Sequence, residues 1–106
     1  MSYRFMRIIV FFDLPSTTYK DQKEYNKFHK FLIKSGYIMM QESVYTKLAL
    51  NNSIVNSEKE KLRKNKPNSG IVEVLVITEK QFSKIEYLVG KKSEDIEDSE
   101  SRLIIL

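Results

Sequence analysis

Asp13 is the residue best placed to do chemistry. It closes the run Arg7 to Ser16, R-I-I-V-F-F-D-L-P-S, the most apolar stretch of the chain. Pro15 then forbids further strand pairing, so a carboxylate stands where the backbone turns away. Mg²⁺ takes one or two carboxylates and keeps several waters. A metal-held water is in turn a route to attack on a phosphodiester. Asp before Leu14-Pro15 also suits plain turn chemistry, through bonds to nearby backbone. Glu42 falls in a turn and Glu73 in mid-strand, which leaves Asp13 as the catalytic and metal-ligating candidate. His29, the only histidine, lies on a helix away from that strand end and reads as a boundary residue.

The second chemical signal is cationic. Lys20, Lys23, Lys27, Lys30 and Lys34 recur at steps of three and four, which keeps all five on one helix face. From first to last they span roughly 21 Å at ~1.5 Å rise per residue. Lys61, Arg63 and Lys64 on a second helix, and Arg4 and Arg7 on the first strand, widen the surface. No base-reading cluster accompanies them, so phosphate contact without sequence preference is the expected mode. A solvated helix face, partly balanced by Asp21 and Glu24, is the alternative.

The elements that must position these groups follow from periodicity. The first strand is apolar on both faces: Ile8, Val10 and Phe12 on one, Ile9 and Phe11 on the other, with Asp13 continuing the second. Such a strand is covered on both sides. Thr18 and Asp21 form a weak capping box opening a helix to about Ser35, with Gly36 as its stop. Tyr37 to Gln41 and Ser43 to Leu50 read as two strands, and Tyr45 as a packing residue at the core or an interface. Asn51-Asn52-Ser53 opens a second helix to about Asn65. Ile71 to Thr78 is another strand, Glu79 to Phe82 a helical turn, and Ile85 to Val89 a short fifth strand.

The order β-α-β-β-α-β is the ferredoxin-like arrangement of the α+β class. It places both helices on one face of an antiparallel sheet. The other face, with Ile9 and Phe11, needs a separate cover, and a second copy of the chain is the expected one. Ile9, Phe11 and Tyr45 are the predicted dimer contacts. Two copies of Asp13 would then supply two carboxylates.

Residues 1–90 read as the folded domain and 91–106 as an acidic linker with a docking strand. Lys91 to Ser101 reads as a loop. The stretch 93–106 holds five acids and one base, Arg102, within a chain of net charge +4. The basic body suggests a polyanion partner. The closing Arg102, Leu103, Ile104 and Ile105 read as a strand docking on a sheet edge. Zero cysteines exclude disulfides and thiolate chemistry. No run approaches the ~18 apolar residues of a membrane span, and no secretory leader is evident, so a cytoplasmic protein is expected.

Several of these stretches together resemble one family. M-S-Y-R-F-M-R-I-I-V-F-F-D-L-P is similar to its first strand with the terminal aspartate and proline. Gln41, Ser43, Val44 and Tyr45 match its Q-x-S-V-aromatic signature. Thr78 to Phe82 and Ser101 to Ile104 resemble the version found in type II CRISPR loci. The family is CRISPR-associated protein two. The resemblance implies a symmetric dimer with sheets face to face and the two Asp13 residues near the axis. It implies partnership with the integrase CRISPR-associated protein one. The dimer would bridge two integrase dimers and support incoming double-stranded DNA during spacer acquisition. It also implies Mg²⁺-dependent endonuclease activity on RNA or double-stranded DNA, working or vestigial. A toxin-type ribonuclease or RNA-binding module on the same fold is the remaining alternative.

Overall fold

The computed structural model describes residues 5–92 and residue 96. Its elements are β1 (Met6–Asp13), α1 (Tyr19–Lys34), β2 (Ile38–Gln41), β3 (Val44–Ala49), α2 (Asn52–Asn65), β4 (Ile71–Thr78) and the one-turn α3 (Glu79–Phe82). The four strands form one antiparallel sheet in the order β2-β3-β1-β4. β1 is therefore central, as its two-sided apolar pattern requires, and β4 lies at an edge.

α1 starts where its sequence caps it. The Thr18 hydroxyl accepts from the Asp21 N–H at 3.1 Å, and the Asp21 carboxylate accepts from the Thr18 N–H at 3.3 Å. Phe28 and Leu32 bury fully, with Tyr25 and Phe31 at the margin. α2 is capped by Asn51, whose side chain accepts from the Ile54 N–H at 2.9 Å. Both helices cover the sheet face carrying Ile8, Val10 and Phe12, and Val55 and Leu62 join the same core. Phe12 is its centre, edge-on to Tyr25 and Phe28 and stacked with Tyr45.

The second face departs from expectation. Ile9 is only 6% exposed, because Phe82 of α3 and Ile96 form a small core with it. The chain thus closes over Ile9 itself, and Phe11 alone of the predicted contacts stays half-open on this face. Tyr45 belongs to the other face: it pairs with Val10 in the ladder and is 1% exposed in the helix-side core. Of the two positions open to Tyr45 in the sequence, core or interface, the β1–β3 register puts it in the core, so it is not a dimer contact on the second face. Ile96, within the stretch read as a loop, is the only apolar residue between Gly90 and Arg102. That one residue is 1% exposed and packs with Ile9 and Phe82.

The fifth strand is also corrected. Ile85–Val89 forms no ladder. It runs across the second face near Phe11, Met40 and Val44, with Leu88 and Val89 85% and 92% exposed. Apolar residues marked the segment, but a strand needs an edge to pair with, and this one lies over the face instead. Arg102, Leu103, Ile104 and Ile105 lie outside the described residues. No helix among the described residues is long and apolar enough to cross a membrane.

Candidate nucleic-acid site

The corner around Asp13 is built by three turns meeting at the end of β1. The Phe12 N–H donates to the Ser43 carbonyl at 3.0 Å, which brings the β2–β3 turn alongside. Ser43 holds φ at +64°, a left-handed conformation that side-chain-bearing residues adopt at a cost. From the other side Gly70, at φ +88°, lets the chain entering β4 pass close. A Cβ there would lie 2.7 Å from the Asp13 carbonyl oxygen and 2.8 Å from a Leu14 methyl. Asp13 is exposed.

Asp13 and Glu42 line one cleft of about 350 Å³, together with Ser16, Gln22, Asn26 and Ser43. In the sequence Glu42 reads as a residue of the β2–β3 turn, not as an acid at a strand end matching Asp13. Antiparallel pairing of β3 with β1 returns that turn to the end of β1, a signal present in the ladder but not in either residue. Its polar donors are oxygens and amides, the chemistry that hydrated Mg²⁺ accepts. Among the described residues no three His, Cys, Asp or Glu side chains form a metal-holding group. The cleft thus offers two carboxylates, Asp13 and Glu42, among its lining residues.

Lys20, Lys23, Lys27, Lys30 and Lys34 are all exposed along α1, and none makes an ion pair among the described residues. On α2 the picture differs: Lys61 lies 3.4 Å from Glu58, and Arg63 pairs with Glu60. Lys64 is exposed there. Arg7, predicted to contact nucleic acid, is fully buried. Its Nε and one terminal nitrogen donate to Glu79 at 2.8 and 2.5 Å, and the guanidinium lies 4.3 Å from the centre of the Phe82 ring. It faces the second core, so no ligand reaches it. Arg4 lies outside the described residues.

His29 is half-buried, with Nδ1 hydrogen-bonded to the Tyr45 hydroxyl. Burial, with Tyr25 and Glu42 nearby, pushes the Tyr45 hydroxyl above its ordinary range, so it stays neutral. This is the boundary role read for His29. A separate polar network fixes the far end of α1. Lys47 donates to the Ser35 carbonyl at 2.6 Å and to Glu58 at 3.0 Å, and the Tyr37 hydroxyl donates to Glu58 at 3.3 Å.

The residues 6–85 match the family model described as CRISPR associated protein Cas2. A "CRISPR-associated endoribonuclease Cas2" of Treponema denticola is 48% identical over 101 residues, covering 95% of this chain and all of that protein. One of Streptococcus mutans is 46% identical, covering 95% of this chain and 93% of the relative. A solved structure titled "Crystal structure of cas2" superposes with a TM-score of 0.59 at 20% identity, over 85% of this chain and 92% of that one. That likeness speaks to the fold, and the family match and the close relatives speak to descent. Together with an aspartate closing a buried central strand, they establish that the chain belongs to the CRISPR-associated Cas2 family.

Proposed function

We propose that this protein is a metal-dependent endoribonuclease of a CRISPR system, working as a ferredoxin-like homodimer. The observation that carries the reading is the exposed Asp13 carboxylate sharing an oxygen-lined cleft with Glu42, beside a helix of unpaired lysines. Asp13 and Glu42 would hold a hydrated Mg²⁺, which when bound offsets phosphate charge and lowers the pKa of its water. Without a cation the two carboxylates repel a phosphate, so binding near Asp13 requires the metal. The names of the relatives in Treponema denticola and Streptococcus mutans support the same activity. The test is cleavage of RNA and DNA by purified protein with Mg²⁺, with chelator, and with Asp13→Ala. Loss of cleavage in the last two is expected. Equal residual cleavage by wild type and variant identifies a contaminant and ends the reading.

A second reading is a DNA-supporting scaffold in spacer acquisition, bridging integrase dimers. The lysines that run the length of α1, well beyond the Asp13 cleft, favour it. The open apolar remainder of the second face, with Ile71 58% and Leu75 48% exposed, favours the homodimer both readings need. Removal of residues 102–106 should abolish capture of the integrase. Undiminished capture would sink the docking-strand idea.

A further inference from the structure

The Asp13 cleft does not end at Asn26. A second cleft of about 400 Å³ continues along the shoulder of α1, lined by Tyr19, Gln22, Lys23, Asn26, Lys27 and Lys30. Gln22 and Asn26 line both. One path therefore runs from two carboxylates, across two amide side chains, to three unpaired ammonium groups. Tyr19 stands beside it 82% exposed, its ring unused by the core.

The geometry points to this path as the track of a single nucleic-acid strand, with Lys23, Lys27 and Lys30 holding phosphates, Tyr19 stacking a base, and Gln22 and Asn26 positioning the nucleotide that reaches Asp13. The charge runs the right way for this. The lysine end accepts phosphate unaided, and the carboxylate end accepts it only through a cation. Lys23 to Lys30 rise roughly 10 Å along the helix at ~1.5 Å per residue, room for a nucleotide step or two. A cationic groove combined with an exposed aromatic ring is how proteins hold single strands, since every base offers a face to stack. A duplex hides those faces and would meet only the lysines. α2 offers no equivalent: two of its cations are spent on Glu58 and Glu60, and it has no tyrosine. The track rests on the reading of Asp13 as the reacting end.

The chain has no cysteine, so single cysteines report position cleanly. Asn26→Cys and, on the exposed side of α2, Ser57→Cys are offered short oligonucleotides with an activated thiol tether on one base. The arms are an oligoribonucleotide, an oligodeoxyribonucleotide and a duplex, with Ca²⁺ in place of Mg²⁺ so that the carboxylates are neutralised while cleavage is suppressed. Asn26→Cys should capture the single strands much faster than Ser57→Cys does. The ribo- and deoxyribo- arms show which sugar the track prefers. Tyr19→Ala should weaken single-strand binding roughly 5-fold or more, leaving duplex binding and the salt slope unchanged. Each of Lys23→Ala, Lys27→Ala and Lys30→Ala should flatten the log–log salt slope by ~0.7 for single strands. Equal capture at the two cysteines, or a Tyr19→Ala variant that binds single strands as wild type does, overturns the track. Cleavage by the wild type with equal capture leaves the nuclease reading standing and ends this one. Selective capture without metal-dependent cleavage does the reverse.

Discussion

Two acids of β1 and α3 and one arginine show how differently single residues behave. Asp13 is exposed and carries no packing, so Asp13→Ala should abolish metal-dependent cleavage while moving stability by less than about 0.5 kcal/mol. Urea titration beside the activity assay checks both halves. Glu79 is the opposite case, 2% exposed and holding Arg7. Glu79→Ala should cost about 3–5 kcal/mol, because it strands a buried guanidinium. Arg7→Lys should not restore wild-type stability, since one ammonium cannot reproduce the two-pronged bond or the seat over Phe82. Gly70→Ala should destabilise through both its left-handed φ and the contact with the Asp13 carbonyl. At this scale the sequence showed which residues carry charge but not who meets them. Asp13 was legible because a proline and a buried strand frame it locally. Arg7 was misread because its partner lies 72 residues away.

At the scale of elements, periodicity and caps were sufficient for α1, α2 and β4. The start of α1 rests on Thr18, and Thr18→Ala should cost roughly 1 kcal/mol of stability by thermal or urea denaturation. The network around Glu58 joins the α1–β2 turn, β3 and α2, and it makes stability depend on pH. Burial pushes the Glu58 carboxyl up, but the hydrogen bond and charge of Lys47, and then Lys61, outweigh it and hold it below the ordinary 4.5. A carboxyl depressed in the folded state contributes stability above its unfolded pKa, and that contribution is lost as pH falls through the folded value. Stability should therefore decline as pH falls below about 4.5, and Glu58→Gln should flatten the decline. What periodicity could not supply was pairing. Tyr45 fitted core and interface alike in the sequence, and only its pairing with Val10 puts it in the core. Ile85–Val89 was read as a strand from composition, whereas a strand exists only beside an edge.

At the scale of the molecule, the described surface is divided. One side presents α1 and its lysines. The other presents Ile71, Leu75, Leu88 and Val89, all at least 48% exposed, around a core that Phe82 and Ile96 only partly cover. A proposed second copy would meet this side. Leu75→Glu combined with Leu88→Glu should shift the sedimentation of a dimer to that of a monomer, without loss of helical circular dichroism. Unchanged sedimentation would place the contact elsewhere. The need for a cover was legible from β1 alone. The share of that cover supplied by the chain itself was not, because it comes from a one-turn helix and a lone isoleucine with no periodicity to announce them.

The buried pair between Arg7 and Glu79 also sets an order of events. β1 is synthesised first, yet both its ladder neighbours, β3 and β4, lie later in the chain, and the carboxylate for its arginine later still. Until residue 79 is available, sealing the central strand would strand a cation in an apolar site. Contacts that join such distant positions are slow to close. The first strand made is thus the last to be completed, and a nascent chain stopped before α3 holds its most apolar segment open. The closing of β1 against β4 and Glu79 is therefore the contact that folding should complete last.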